Sequence, residues 1–285
     1  MIETIELPWR LGTIEVPVPD RYIRPAIEIT GEYSGQEFDL YQALLQPGDL
    51  AVDVGANIGV FSIAMGQAVG ETGRVLAFEP QPLIFGILTR NLARHGLDRV
   101  EAHRAIVSEV EGAGQFADVR TLPEGRKVNF GTIGVTSRIM PEYGGMAPTP
   151  VLTLDGFELA RCDLIKIDVE GAEEAVLRGA AATIARCRPI LSLECDRPNA
   201  ASPWVDGFLA AGYSLWRFRG TNLRAPNPKG VPIDGVANYT SIMALAVPPE
   251  RNDVLRRIDH QRLQPIDSRE TLERLSRNIV VMNGS

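Results

Sequence analysis

Over most of the chain, short apolar runs alternate with stretches whose apolar residues recur at helical spacing. Residues 50–54 form an apolar run that ends at Gly55, and residues 58–69 have the spacing of a helix. The same pair of signals returns as a strand at 74–78 and a helix at 82–95. Parallel strands need a crossover connection of this kind, usually a helix. The alternation therefore predicts an α/β fold, with a mostly parallel, doubly wound sheet and helices on both faces.

The remaining signals set the expected domain organisation. Further strands are predicted at 100–107, 164–167, 189–193, 214–218 and 241–247, and further helices at 37–46, 172–186 and 204–211. We expect one domain over 37–249, after an irregular lead-in at 1–36 that holds one or two edge strands. A charged, helical extension is expected at 250–285, either as a dimerisation arm that would support a homodimer or as a loosely held tail.

A long insert separates the third and fourth predicted strands of the domain. It covers residues 108–153 and is rich in Gly, Pro and Thr. A loop of this length inside a compact domain is more often a lid or a substrate-binding element than a plain connector. Within it, Asn129-Phe130-Gly131 is a candidate to reach the site, because the glycine permits a close approach.

Charge and composition exclude several classes of protein. The formal net charge of −7 over 285 residues argues against nucleic acid as the partner, since such binding depends on clustered Lys and Arg. We expect no membrane span, because no apolar stretch reaches about 18 residues, and the N-terminus lacks a signal-peptide core. Cys162, Cys187 and Cys195 lack metal-site spacing and are expected as reduced thiols. These features predict a cytoplasmic enzyme.

The strongest chemical signal is VDVGANIG at residues 52–59, where a predicted strand meets a helix. Gly55 and Gly59 allow a sharp turn and a close approach of the backbone to a ligand. The spacing D-x-G-x-N-x-G differs from the dinucleotide fingerprint G-x-G-x-x-G, whose third glycine would fall at Val60. The phosphate-binding pattern G-x-x-x-x-G-K-[ST] is also absent. The turn therefore favours a nucleoside without a pyrophosphate.

An acidic residue follows at the end of the second strand of the domain. Glu79 comes 26 residues after Asp53, in the segment Ala77-Phe78-Glu79-Pro80. An acid at this point accepts hydrogen bonds from ribose hydroxyls, and the carboxyl ends of the strands are where open α/β sheets bind ligands. A glycine turn and two acids without a phosphate cradle indicate S-adenosylmethionine. In the alternative interpretation, Asp53 only caps the turn and Glu79 is a solvated surface acid.

A second group of acids follows the fourth and fifth strands. Lys166 and Asp168 share one side of the strand at 164–167, Glu170 comes two residues later, and Glu194 follows the next strand. We expect Asp168, Glu170 and Glu194 to converge near the ligand. Such a group can serve as a general base for a hydroxyl or hold a divalent cation. In the alternative interpretation, Asp168 caps the next helix and Glu170 favours its positive end.

Three segments together resemble the FkbM family of methyltransferases. They are VDVGANIGVFSIA (52–64), RVLAFEPQP (74–82) and CDLIKIDVEGAEEAVLRGA (162–180), and the last is the most specific. The resemblance extends over roughly 33–247. It implies a Rossmann-like class I methyltransferase fold, S-adenosylmethionine as donor and usually a hydroxyl oxygen as acceptor. Family substrates include polyketide-type natural products and sugars, so a small molecule or a glycan is the expected partner.

The resemblance also implies site residues, position by position. The implied cofactor-binding residues are Asp53, Gly55, Ala56, Asn57, Gly59, Glu79, Pro80, Ala105, Ile106 and Asp168. Of these, Glu79 would hold the ribose, and Ala105 and Ile106 would lie near the adenine. Asp168, Glu170 and Glu194 are the expected catalytic acids. Some related O-methyltransferases bind Mg²⁺ at the places that Asp168 and Glu194 occupy.

Two other functions remain as alternatives at this stage. One is an NAD-dependent oxidoreductase on the same fold, which the glycine spacing and the lack of a Tyr-x-x-x-Lys pair after the fourth strand disfavour. The other is a non-catalytic nucleoside-binding module. The expected reaction is transfer of a methyl group to a hydroxyl whose proton a carboxylate, or a metal held by carboxylates, helps to remove.

Overall fold

Thirteen strands and eight α-helices make up the computed structural model, which describes residues 2–121, 145–195, 204–234 and 238–277. The strands are β1 (Thr4–Trp9), β2 (Gly12–Pro17), β3 (Leu50–Val54), β4 (Arg74–Phe78), β5 (Val100–His103), β6 (Ile106–Val107), β7 (Gly112–Asp118), β8 (Gly145–Leu152), β9 (Leu164–Ile167), β10 (Ile190–Glu194), β11 (Ser214–Thr221), β12 (Thr240–Val247) and β13 (Leu263–Ile266). The helices are α1 (Ile23–Thr30), α2 (Gly35–Leu44), α3 (Val60–Ala68), α4 (Pro82–Arg94), α5 (Glu173–Arg178), α6 (Ala181–Cys187), α7 (Trp204–Ala210) and α8 (Arg269–Arg277).

Eight of these strands form the central sheet, in the order β13-β11-β12-β10-β9-β3-β4-β5. The five strands from β10 to β5 pair in parallel, while β12 pairs antiparallel with both of its neighbours, and β13 pairs antiparallel with β11. The chain runs outward from β3 to β5 and then returns to β9. The strand order therefore reverses between β3 and β9, where a crevice forms at the carboxyl ends. The predicted α/β class and mostly parallel, doubly wound sheet are confirmed.

Helices cover both faces of this sheet, and each face has its own core. One core joins the hairpin β1–β2 and helices α1 to α4 to residues such as Ala51, Val75 and Leu164. The other joins α5 to α8 to the alternate residues of the same strands, such as Val52 and Ile165. Apolar side chains on both faces explain why the central strands are continuous apolar runs in the sequence.

The first 36 residues are more regular than expected. Strands β1 and β2 pair as an antiparallel hairpin, and α1 follows with Pro25 in its first turn, where proline is tolerated. The buried Asn91 of α4 holds the hairpin: its amide group exchanges hydrogen bonds of 2.8 and 3.0 Å with the backbone of Glu15. One or two edge strands were predicted within this segment without positions, and the helix was not predicted.

The strand predicted at 100–107 divides into two. Only β5 joins the central sheet, whereas β6 pairs with β8 in a separate three-stranded sheet of order β6-β8-β7. Most of the described part of the long insert is therefore sheet rather than irregular loop. Residues 122–144, which include the Asn129-Phe130-Gly131 candidate, lie outside the described residues.

The helix predicted at 172–186 also divides, into α5 and α6. At the break, the carbonyl of Gly179 accepts a hydrogen bond from the Asp155 N–H group. A side chain on Gly179 would collide with the backbone of Ser108, so only glycine fits where the two segments approach each other. The Asp155 carboxylate then accepts the N–H groups of Ala182 and Thr183, which begins a new helix.

The segment after residue 249 is only partly helical. It starts with 3-10 turns at Pro249–Arg257 and His260–Arg262, continues as β13 and ends its described part with α8. Because β13 pairs with β11, this segment extends the central sheet.

Composition led us to expect no membrane-spanning helix and three reduced cysteines. No helix within the described ranges has the length and apolar character needed to cross a membrane. The three cysteines are free: Cys162 and Cys195 are buried and Cys187 is half-buried.

Candidate active site

The glycine turn after β3 lies at the point where the strand order reverses. Gly55 has a φ of 85°, and a Cβ there would overlap the carbonyl oxygen of Asp168. Only glycine therefore lets the ends of β3 and β9 come this close. The N–H groups of Gly55 and Ala56 donate to the Phe78 carbonyl, and Gly59, with a φ of 96°, starts α3. The turn is tied to the end of β4.

Glu79 connects the glycine turn to the start of α4. One of its carboxylate oxygens accepts the Asn57 N–H group at 3.0 Å, and the other accepts the Gln81 N–H group at 2.9 Å. Burial raises the pKa of Glu79 to about 7, although both N–H groups act to lower it. Each oxygen keeps a free lone pair. The carboxylate can therefore accept two further hydrogen bonds from a ligand with adjacent hydroxyls.

Asp53 and Lys166 form a buried ion pair beneath the turn. Both side chains are 0% exposed, and Lys166 Nζ lies 3.0 Å from Asp53 Oδ1, 3.2 Å from the Gly55 carbonyl oxygen and 3.4 Å from Asp168 Oδ2. Burial acts to lower the pKa of Lys166, but the Asp53 and Asp168 carboxylates outweigh it and raise the pKa. The second Asp53 oxygen accepts the Ser62 hydroxyl at 2.6 Å. Asp53, predicted to line the ligand, uses both oxygens inside the protein.

Three carboxyl groups meet where β9 and β10 end, as predicted. Asp168, Glu170 and Glu194 are half-buried, and one oxygen atom of each lies within 4.8 Å of the others. Glu170 has a φ of 57° and Gly171 a φ of 98°, so the chain turns sharply after β9 and directs Glu170 back toward its neighbours. The convergence of these carboxyl groups was predicted, and their roles as a general base or as cation ligands stay predictions.

The residues that the family resemblance places near the adenine lie beside Glu79. The carbonyl of His103 accepts the N–H groups of both Glu79 and Ala105, each at 3.1 Å. Ala105 is buried, and Ile106 is buried in the small sheet through its pairing with Val151. The imidazole of His103 stacks on the Phe78 ring with centroids 5.0 Å apart.

A second polar group lies next to this edge and was not predicted. Tyr41 Oη lies 3.0 Å from Glu37 Oε1 and 3.2 Å from Ser192 Oγ, and Ser241 Oγ donates to Glu37 Oε2 at 2.6 Å. Burial and the nearby carboxyls, Glu37 and Asp168 among them, raise the pKa of the Tyr33 hydroxyl. The predicted helix placed Tyr41 on its apolar face. An acid four residues before a buried tyrosine was the signal that could have identified Glu37.

Comparisons with known proteins find similar methyltransferases. Methyltransferase 1 of Beauveria bassiana is 28% identical over 177 residues, which cover 55% of this chain and 70% of the relative. The 31-O-demethyl-FK506 methyltransferase FkbM of Streptomyces tacrolimicus is 34% identical over 161 residues, which cover 47% of this chain and 60% of that protein. The crystal structure of methyltransferase FkbM from Methylobacillus flagellatus matches with a TM-score of 0.48 at 18% identity, covering 78% of this chain and 50% of that one.

The family comparison covers the residues that build the site. The methyltransferase FkbM domain matches residues 53–215, from Asp53 before the glycine turn through Glu194 at the end of β10 and into β11. This match includes Glu79, Lys166 and Asp168 and extends over more than half of the chain. The chain therefore belongs to the FkbM family of methyltransferases.

Proposed function

We propose that this protein transfers a methyl group from S-adenosylmethionine to a hydroxyl oxygen of a small molecule or glycan. The observation that carries the proposal is the convergence of three features at the switch point of the sheet. The glycine turn contacts Asp168 through Gly55 and Glu79 through the Asn57 N–H group. Family membership supports a methyl donor, and the acid cluster supports an acceptor that must lose a proton.

The residues at the turn fit the nucleoside part of the donor. Glu79 would accept the two ribose hydroxyls with the lone pairs that its backbone partners leave free. Ala105, which is linked to Glu79 through the His103 carbonyl, and the half-buried Pro80 would border the adenine. Asp53 is assigned a positioning role, because it holds Lys166 and Ser62 and is 0% exposed.

The acceptor side of the site is assigned to the carboxyl cluster. When bound, the donor supplies a methyl group on a positively charged sulfur atom. Asp168, Glu170 and Glu194 would orient the acceptor hydroxyl and receive its proton, and a general base of this kind contributes about 10²–10⁴-fold to the rate. Holding the reacting groups in a fixed geometry supplies the larger part of the rate enhancement.

The donor assignment is tested by calorimetric titration of the whole chain with S-adenosylmethionine, S-adenosylhomocysteine and NAD, each with and without Mg²⁺. We expect both adenosyl compounds to bind in the micromolar range and NAD to bind far more weakly. Binding of NAD alone would overturn the proposal and favour the oxidoreductase alternative. If the adenosyl compounds bind but no hydroxylated acceptor in a broad panel is methylated, the nucleoside-binding module is favoured. A requirement for Mg²⁺ would assign the carboxyl cluster to a cation.

The role of the cluster predicts a change in the pH–rate profile. With labelled methyl donor and a hydroxylated acceptor found by screening, D168N and E170Q are expected to lose about 10²-fold or more in rate. The fall in rate toward acidic pH that we expect of the wild type should also disappear in the variant that lacks the general base, because the carboxylate whose protonation causes the fall has been removed. E174Q is the matched control, since Glu174 pairs with Arg178 on α5. Unchanged rates in both variants would remove these residues from the mechanism.

A further inference from the structure

Glu37 is a buried acid outside the carboxyl cluster and the ribose site. It lies in the first turn of α2 and is only 3% exposed. Its two oxygens contact the hydroxyl groups of Tyr41 and Ser241, on α2 and β12. Ser241 is near the start of β12, which is antiparallel to β10. Glu37 therefore lies at the same edge of the sheet as Glu194.

The described residues around Glu37 do not supply a positive charge that would balance its carboxylate. Among the described residues, no lysine or arginine forms an ion pair with it, and Lys166, which acts on it at longer range, is already paired with Asp53 and Asp168. Within the part of the chain that the structure describes, the titratable and charged groups that face this region are Tyr33 and Tyr41 beside and on α2, Asp20 before α1, Asp53 on β3, Lys166 and Asp168 on and after β9, and Glu194 on β10. Lys166 is the one cation among these described groups and already has two carboxylate partners, so an ionised Glu37 needs a further positive charge.

The hydroxyl partners of Glu37 suit either protonation state. Tyr41 and Ser241 can each donate a hydrogen bond to a carboxylate or accept one from a carboxylic acid. When Tyr41 accepts a hydrogen bond from the carboxylic acid, its own hydroxyl hydrogen can be donated to Ser192 Oγ. Burial raises the pKa of Glu37 to about 7, and the Asp168 carboxylate adds to the increase. A small change in the local charge is therefore enough to move its proton.

We propose that Glu37 is protonated in the free protein and ionises when the cationic methyl donor binds, so that its carboxylate balances the positive charge on the donor's sulfur. This inference rests on the proposed function. It assigns Glu37 to recognition of a sulfonium cation, whereas Glu79 recognises the ribose. It also explains why a buried acid with no ion-pair partner among the described residues is kept at the edge of the sheet where β10 ends.

Glu37 can then be the final acceptor of the proton that the acid cluster takes from the acceptor hydroxyl. The acceptor O–H bond breaks, an O–CH₃ bond forms, and the CH₃–S bond breaks with its electron pair left on sulfur. One positive charge disappears from sulfur and one proton is released, so proton uptake by Glu37 leaves the net charge of the buried site unchanged.

The test is proton release on binding, measured by calorimetry in buffers of different ionisation enthalpy at about pH 6. The wild type is expected to release close to one proton more with S-adenosylmethionine than with neutral S-adenosylhomocysteine. E37Q should abolish this difference and still bind both compounds, whereas the control E101Q, at an exposed acid on β5, should retain it. Subtracting the proton release measured with S-adenosylhomocysteine from that measured with S-adenosylmethionine cancels any protons that Glu79 releases, since both ligands carry the same ribose.

A second measurement does not depend on a variant. Below about pH 7, the affinity of the wild type for S-adenosylmethionine should rise nearly tenfold per pH unit relative to its affinity for S-adenosylhomocysteine. Equal proton release with the two ligands, or an unchanged difference in E37Q, would overturn the assignment of Glu37 while leaving the methyl donor intact. Failure of both adenosyl compounds to bind would overturn the proposed function and, with it, this inference.

Discussion

Replacing Lys166 with methionine is expected to lower the free energy of unfolding by about 3–5 kcal/mol. Methionine keeps most of the side-chain volume but removes the charge, which leaves Asp53 buried without a cation. Asp53 is 0% exposed and would keep only the Ser62 hydroxyl at 2.6 Å. The Asp168 carboxylate, 3.4 Å from Lys166 Nζ, would lose the same partner. An unpaired charge in the core costs far more than the lost contact itself.

This prediction is checked by urea unfolding of K166M, the double variant D53N/K166M and the control K229M. Lys229 is exposed, so its replacement should change the free energy by no more than about 0.5 kcal/mol. The double variant should recover a large part of the loss, because it removes the buried charge together with its partner. A loss of under about 1 kcal/mol in K166M would show that Asp53 is not charged when buried.

Replacing Glu79 with alanine is expected to weaken binding of S-adenosylmethionine and S-adenosylhomocysteine by about 100-fold or more. A hydrogen bond to a charged group contributes about 1.5–3 kcal/mol, and two ribose hydroxyls would lose this acceptor. The variant also leaves the Asn57 and Gln81 N–H groups without their carboxylate, so the glycine turn loses its link to α4. Both effects weaken binding of the two adenosyl compounds.

Calorimetry on E79A and on E101A measures this loss against a matched control. Glu101 is an exposed acid on β5 that pairs with Arg74, so its removal should leave the affinity unchanged. A urea midpoint for each variant separates loss of binding from loss of folding. Affinity within about threefold of wild type in a folded E79A would show that the ribose is held elsewhere.

The central strands could be predicted because each is a local signal. Strands β3, β4 and β9 lie at the residues predicted, since a strand buried on both faces must be a continuous apolar run. The glycine turn could also be predicted from the sequence. Gly55 and Gly59 both adopt a positive φ, which glycine adopts more readily than other residues. The carboxyl ends of parallel strands share one edge, so the meeting of Asp168, Glu170 and Glu194 also followed from their places in the sequence.

Other features depend on contacts between distant parts of the chain. The pairing of Lys166 with Asp53 joins residues 113 apart, and that of Glu37 with Ser241 joins residues 204 apart. Neither residue type nor spacing shows whether a polar side chain on a strand or helix faces water or the core. Likewise, β13 was not predicted from the sequence, because it forms by pairing with the edge of β11. The local pattern determined the elements and the glycine turn, whereas tertiary packing decided which acids are buried, because burial and counter-ions arise only when separate elements meet.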